Sequence, residues 1–560
     1  MVDLPAAYPF DTSFIGTQWP ESWGTKERVV LADMSFGAGS HFLSVWSRFE
    51  ETGQKIEHLY YYAFEKNPLS KDDIKKEIGR SQCDKKLEKL LSLYPSRIEG
   101  WHNIRLSPSI SLILIFGDIE RELPEMQTPV DYWFLTGRCF SPHLVPTLKR
   151  LSHNKSYLSS YMQNPDEQNK LEEAGFRPIR TEKNSVTYIY NDGPRPQESN
   201  RKAKPEKIAI IGGGIAGAAL AHQLSPYVLD ITIFEKNGLA SGGSGNDRGL
   251  CNPRISASKG PEADFYGPAF HLAHQIFGAL SENEDLGFKS CGSLHLISDD
   301  NKEKRYHGFK DNWGWHDTHA RIIDAKESSD IAGINLHYPC LYLPDAGMIC
   351  PRKATQRLSQ SANIIISKVQ KLEECGSHWR IDGQYFDCVI LAGSFDVIDF
   401  PYTHKLPIQK IRGQVTYVQT TERYNRLKTN LCYGGYASVA EDGKAILGST
   451  FQTWIDDASL RPEDDIDNID KLKLVVPSLA KDLTVSGGRA SFRSAAKDRA
   501  PVIGQIHGVE NLYISTAHGS HGLLSSIMGA EFLTSRILGD AHILPRSVER
   551  FLSPSRFKIH

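Results

Sequence analysis

The sequence predicts an α/β chain of two domains, and three observations carry that expectation. Two separate stretches read as strand, glycine turn and helix, each followed by a second strand that ends on a glutamate. Between them, Asn191 to Glu206 is polar, holds Pro194, Pro196 and Pro205 and has no apolar period, as an exposed linker should. At 560 residues the chain also exceeds the size at which a single core keeps growing. The domains are therefore expected at 1–190 and 207–560, joined by 191–206.

The second domain opens with the stronger motif. Lys207 to Ile211 is apolar and mostly β-branched, Gly212, Gly214 and Gly217 follow at the spacing G-x-G-x-x-G, and Ala216, Ala218 and Ala219 start a helix. Gly212 permits the turn, Gly214 lets a pyrophosphate approach the backbone, and Gly217 lets helix and strand pack closely, so that a phosphate rests on the helix N-terminus. Asp230 to Glu235 reads as the next strand. Its terminal carboxylate is placed to accept the ribose hydroxyls of an adenine dinucleotide.

Composition narrows the class. Hydrophobic residues make up 40% of the chain and charged residues 24%, and no apolar run is long enough to span a bilayer. The first residues lack the pattern of a secretory signal, and the nine cysteines include no C-x-x-C pair. The expectation is a cytoplasmic protein with free thiols, no membrane partner and no metal site. With a net charge of −2, a nucleic-acid partner would need a local basic patch. Arg201, Lys202, Lys204, Arg546, Arg550, Arg556 and Lys558 are candidates for phosphate contact, with solvated surface charge as the alternative.

The first domain repeats the outline. Arg28 to Asp33 reads as a strand, Met34 to Gly39 as a glycine turn, Ser40 to Phe49 as a helix, and Leu59 to Glu65 as a strand ending on a carboxylate. Further strands are expected at Ser111 to Phe116, before Gly117-Asp118, and at Val130 to Leu135. This is the layout of an S-adenosylmethionine methyltransferase.

Taken together, the halves resemble a family of bifunctional tRNA enzymes that complete 5-methylaminomethyl-2-thiouridine at the wobble position. In that family a class I methyltransferase-like Rossmann domain is joined to an FAD-dependent oxidoreductase. The matching pieces of the first half are Phe36 to Leu43, Phe64 to Leu69, Phe116 to Asp118, Val130 to Leu135 and Leu171 to Phe176. The resemblance implies that Gly37, Gly39, Glu65 and Asp118 contact S-adenosyl-L-methionine. Three departures stand against full activity. Ser35 replaces a turn glycine, Thr136 replaces an aspartate, and Ser160 to Pro165 replaces a family segment. A methylated amine must be neutral and aligned, which a carboxylate can arrange and Thr136 cannot. The expectation is a retained fold with weakened or lost methyl transfer; should the activity survive, Asp131 is the first residue to examine as proton acceptor.

In the second half, Gly245, Asn246 and Gly249 fit the family's loop after the glutamate strand. A long helix from Glu262 to Leu280 is expected, then pieces of an antiparallel substrate-domain sheet at Ser293 to Ile297, Leu341 to Leu343 and Arg412 to Val418. Phe386 to Gly393 reads as a buried strand returning to the nucleotide domain, so the FAD-binding Rossmann-type domain and an antiparallel-sheet substrate subdomain are interwoven. Gly488 to Gly504 resembles a segment of glycine-oxidase-like flavoenzymes in which an arginine, here Arg493, holds a substrate carboxylate. A surface or structural ion pair with Asp498 or another acid is the other reading of Arg493. Asn511 to Leu524 is again strand, turn and helix, and the resemblance puts Gly519, Ser520 and Gly522 at the flavin. His521 stands where the family has arginine; His518 and His521 read as general bases or as structural histidines. The function implied is FAD-dependent oxidative removal of a carboxymethyl group from a tRNA wobble uridine. Alternatives are an oxidase of free amines carrying a relic first domain, and a non-catalytic flavoprotein.

Overall fold

The computed structural model describes residues 27–51, 56–79, 84–135, 141–160, 165–181, 185–192 and 204–558. The chain divides into two compact units, Met1–Arg201 with Ala541–Arg546, and Lys202–Asp540 with Ser547–His560. Among the described residues no helix is long and apolar enough to cross a membrane.

The first unit is built on one sheet of eight strands: β1 (Arg28–Asp33), β2 (His58–Glu65), β3 (Gly100–Ser107), β4 (Ile110–Phe116), β5 (Val130–Leu135), β6 (Ser152–Ser160), β7 (Phe176–Thr181) and β8 (Val186–Tyr190). Their order is β3-β4-β2-β1-β5-β6-β8-β7. Strands β4, β2, β1, β5 and β6 run parallel, while β3 and the β7–β8 pair are antiparallel at the two edges. Every residue of β4 and β5 is buried, as an unbroken apolar run predicts for a strand covered on both faces. The helix Ser40–Glu51 buries Phe42, Leu43, Val45 and Trp46 against that sheet's core, which includes Leu31, Tyr61 and Phe116. Late in the chain, 541–546 returns to this unit. Tyr62 donates its hydroxyl to the His542 carbonyl at 2.6 Å, and the His542 N–H donates to Thr128 Oγ1 at 2.9 Å.

The second unit has two principal sheets. In the first, Asn363–Ile366, β10 (Asp230–Glu235), β9 (Lys207–Ile211), Cys388–Leu391 and Leu512–Thr516 are parallel in that order, with Val502–Gln505 antiparallel at the edge. The sequence places four of these strands; Cys388–Leu391 returns beside β9 as expected. The second sheet has eight strands, with its longest pair, Ile408–Gln419 and Thr484–Ala496, running antiparallel at one edge. It is not purely antiparallel: Ser293–Leu296 pairs parallel with Asn430–Cys432 because the intervening chain crosses back before re-entering. The long helix spans Pro261–Ser281, one residue beyond the expected span at each end.

Candidate functional site

The G-x-G-x-x-G turn shows why each glycine is required. Gly212 has φ +121°, and a Cβ there would stand 2.5 Å from the Ala392 carbonyl oxygen at the end of the neighbouring strand. A Cβ on Gly217 would overlap the Gly212 carbonyl, so this residue serves helix packing and stays off the cavity wall. Gly214 meets only Ser244 Oγ, at 3.3 Å, and faces a cavity of about 760 Å3. Glu235, at the end of β10, accepts from the Gly213 N–H at 2.7 Å and from the Asn237 N–H at 3.0 Å, and it lines the same cavity.

The loop after β10 forms the next stretch of wall through Ser241, Gly242, Gly243, Ser244 and Asn246. Gly245 lies behind it, where a side chain would collide with the Arg489 guanidinium. Arg489 in turn donates to Asn246 Oδ1 at 2.9 Å and to the Ser241 carbonyl at 3.0 Å, bracing the loop from outside. At the far end of the cavity, Gly519, Ser520, His521 and Gly522 present the start of the helix Gly522–Ile537. Its N-terminal N–H groups point a positive dipole end at whatever occupies the space.

Arg489 and Arg493 lie four residues apart on Thr484–Ala496, so the period of a strand puts them on one face. Arg493 lines the cavity and donates to Ser449 Oγ and to the Thr450 carbonyl at 3.3 Å. Gly413, on the paired strand, supplies its space, because a Cβ there would stand 2.5 Å from Arg493 Nη1. Burial pushes the guanidinium below its ordinary pKa, with Tyr436 opposing that shift. No carboxylate among the described residues pairs with it. Asp498, the acid named in the ion-pair reading, is held by Arg556 at 2.8 Å.

Around Arg493 the cavity is lined by residues the sequence did not single out, among them Asn252, His295, Cys432 and Tyr436. Gly413 in the middle of a strand was the legible signal, since glycine there marks a close approach. His295, His518 and His521 are all pushed to about 4, chiefly by burial. They are neutral at physiological pH, and His518 sits between Ser515 Oγ at 3.2 Å and Ser525 Oγ at 2.9 Å.

The first unit carries the same motif in smaller form. Gly37 and Gly39 have φ +54° and +84°, and Glu65 accepts from the Gly37 N–H at 2.9 Å and the Asn67 N–H at 2.9 Å. This is the arrangement of Gly213, Glu235 and Asn237 repeated. Burial raises the Glu65 pKa, while the two N–H groups counter it. Asp118 caps the short helix Ile119–Glu122 and pairs with Lys66 at 2.6 Å, which holds its carboxyl below the usual range. Thr136 lies outside the described residues, as do 161–164 of the divergent segment. Asp131 is a different matter. It sits at the entry of β5, opposite the strand end where Thr136 follows, and its oxygens are engaged by the Val30 N–H at 2.8 Å and by His153 Nε2 at 3.1 Å. In open α/β sheets ligands bind beyond the carboxyl ends of strands, so Asp131 is a core residue and not the substitute proton acceptor.

A model of FAD-dependent oxidoreductases matches residues 207–536, more than half of the chain. The chain belongs to this family. The turn at Gly214 and the start of the helix Ile215–Leu224 would take the pyrophosphate, Glu235 the adenosine ribose, and the start of Gly522–Ile537 would face the ring. The donors present fit FAD, since Gly214 leaves its side open and the buried packing glycines hold the turn in place. A model of S-adenosyl-L-methionine-dependent methyltransferases matches residues 81–187. Over its length the chain is similar to bifunctional proteins of tRNA 5-methylaminomethyl-2-thiouridine biosynthesis. That of Idiomarina loihiensis is 29% identical, covering 94% of this chain and 90% of the relative. That of Legionella pneumophila is 27% identical, covering 94% and 89%. Among solved structures, glycine oxidase of Geobacillus kaustophilus superposes with a TM-score of 0.55 at 18% identity, over 63% of this chain and 98% of that one. L-proline dehydrogenase of P. horikoshii gives 0.55 at 20%, over 63% and 98%, and shares the fold.

Proposed function

We propose that this protein oxidatively removes the carboxymethyl group from 5-carboxymethylaminomethyl-2-thiouridine at the tRNA wobble position, giving the aminomethyl base. The observation that carries the reading is Arg493, a half-buried guanidinium with no acidic partner among the described residues, facing the cavity that fits FAD. The length over which the chain matches the bifunctional relatives supports it. The substrate arm, base-CH2-NH-CH2-COO−, has one carboxylate and one secondary amine. Arg493 would take the carboxylate through its two-pronged face, which fixes the adjacent methylene. Bound FAD supplies hydride acceptance from a carbon beside nitrogen. Neutral His518 and His521 add no positive charge that would compete for the carboxylate, and the helix start at Gly522 favours negative charge at the ring edge. Water adds to the oxidised arm, the C–N bond breaks, and glyoxylate leaves. A cytoplasmic location goes with a tRNA substrate, whose wobble base lies unpaired in a loop and can enter a pocket at modest cost.

The test is incubation of carboxymethylaminomethyl-tRNA with the FAD-loaded protein, followed by nucleoside mass spectrometry and a glyoxylate assay. Appearance of aminomethyl base with stoichiometric glyoxylate is expected. Rapid bleaching of the flavin by glycine or sarcosine, with none by the tRNA, would move the protein to the free-amine oxidases.

A further inference from the structure

Residues 449–461 join the strand Lys444–Gly448 of the eight-stranded sheet to the helix Pro462–Val475, and they form part of the cavity's rim. Ser449 and Ala458 line the cavity, and Ser449 and Thr450 are the residues that hold Arg493. The loop is fixed. Arg412, fully buried, donates to the Asp457 carbonyl at 2.7 Å, the Ser459 carbonyl at 2.6 Å and Gln452 Oε1 at 2.6 Å, and it pairs with Asp464. The backbones of Arg412 and Gln452 exchange two hydrogen bonds of 2.9 Å, and Gln414 engages both the N–H and the carbonyl of Arg461, at 3.0 and 2.9 Å.

On this immobilised rim two large rings face water. Phe451 is 52% exposed and Trp454 77%. Among the described residues the aromatic side chains more than half exposed are Tyr385, Phe451 and Trp454, so two of the three lie within four positions of each other, between the cavity-lining Ser449 and Ala458. Neither ring meets another aromatic ring among the described residues. Single exposed apolar residues need no explanation, but a fixed loop that keeps two rings wet between two cavity-lining residues does.

We propose that Phe451 and Trp454 are a stacking platform for unpaired bases adjoining the one that enters the cavity, an inference that rests on the RNA substrate proposed above. A nucleotide inserted in the cavity drags its neighbours to the rim, where their bases have lost a stacking partner. Aromatic faces replace that partner for any base. The carboxylates of the loop do not oppose an RNA strand with free charge. Asp456 is paired with Lys410 at 3.4 Å, and Asp457 with Arg461 at 3.8 Å. Because Arg412 orders the loop beforehand, the rings are presented without further ordering cost.

The experiment compares two substrates on the FAD-loaded protein: an anticodon stem-loop RNA carrying the carboxymethylaminomethyl base, and the free modified nucleoside. Trp454→Ala, and more so the double variant with Phe451→Ala, should raise KM for the stem-loop by about 10-fold or more. kcat, and both constants for the free nucleoside, should stay at the wild-type level, and Trp454→Phe should retain most of the affinity. A stem-loop KM within about 2-fold of wild type in the double variant overturns the platform. So does an equal loss on nucleoside and stem-loop, which would make the rings part of the pocket. If the wild-type protein oxidises neither substrate, the function proposed above falls, and the platform falls with it.

Discussion

Arg493 carries a positive charge into a space where, among the described residues, protein groups answer it only with a hydroxyl and a carbonyl. A charge partly withdrawn from water in this way is costly unless a ligand completes it. Arg493→Ala should therefore lower kcat/KM for the carboxymethylaminomethyl substrate by the equivalent of about 2 to 5 kcal/mol while flavin content stays unchanged. Wild-type turnover in the variant would remove the carboxylate role. A second expectation at this scale concerns pH. His102 in the first unit is pushed to about 4, mainly by burial, with Nε2 placed 2.8 Å from the Ile98 carbonyl. His295, His518 and His521 are pushed to the same value. A histidine with a folded pKa below its unfolded one stays neutral when folded and takes up a proton on unfolding. Its stabilisation is complete above pH 6.5 and is lost as pH falls toward 4. At pH 5 each such histidine should cost on the order of 2 kcal/mol. Melting temperatures across pH 7 to 5 check this, and His102→Gln should flatten part of the decline.

The element that organises the oxidoreductase site is the turn between β9 and the helix Ile215–Leu224, and its glycines divide the work. Gly217→Ala would force a Cβ into the Gly212 carbonyl, so the helix must move and the protein should lose both flavin and cooperative unfolding, at a cost of about 1–3 kcal/mol or more. Gly214→Ala meets nothing nearer than Ser244 Oγ, so that protein should fold with its melting temperature nearly intact but bind FAD more weakly, by about 10-fold on titration. Equal behaviour of the two variants would contradict the division. The sequence motif announces three glycines at once; it does not say which touches ligand and which touches backbone. Likewise Gly245 reads as part of the loop after the glutamate strand, whereas its task is to admit the Arg489 guanidinium, a contact 244 positions away in the chain that no local pattern contains.

For the whole molecule, the second unit should purify yellow with non-covalent FAD. A protein without a flavin spectrum that cannot regain one on adding FAD would count against the cavity assignment. The first unit keeps the fold and the turn of a methyltransferase, with Gly37, Gly39 and Glu65 arranged like their counterparts in the second. Binding and chemistry are expected to separate there. With labelled S-adenosyl-L-methionine added to the tRNA assay, product should stop mainly at the aminomethyl stage. Label entering the wobble base at the rate of the oxidative step would show a working methyltransferase. Asp131 would not be its proton acceptor, since it is closed off in the core by Val30 and His153.

By itself the sequence determined what short-range chemistry can encode. The strand, turn and helix units at Arg28 to Glu51 and Lys207 to Leu224 and the acid ending each second strand follow from glycine spacing and unbroken apolar runs. These features lie within one supersecondary unit, where neighbours in sequence are neighbours in space. The tertiary structure decided what depends on distant partners. It placed Asp498 with Arg556 and so left Arg493 to the cavity, and it set His518 and His521 in surroundings that push both to about 4. It also turned Asp131 inward at the wrong end of its strand, and set Arg412 beneath a loop 40 residues away, through Gln452, to hold Trp454 at the rim. Burial and pairing are properties of the packed chain, and residue type alone fixes neither.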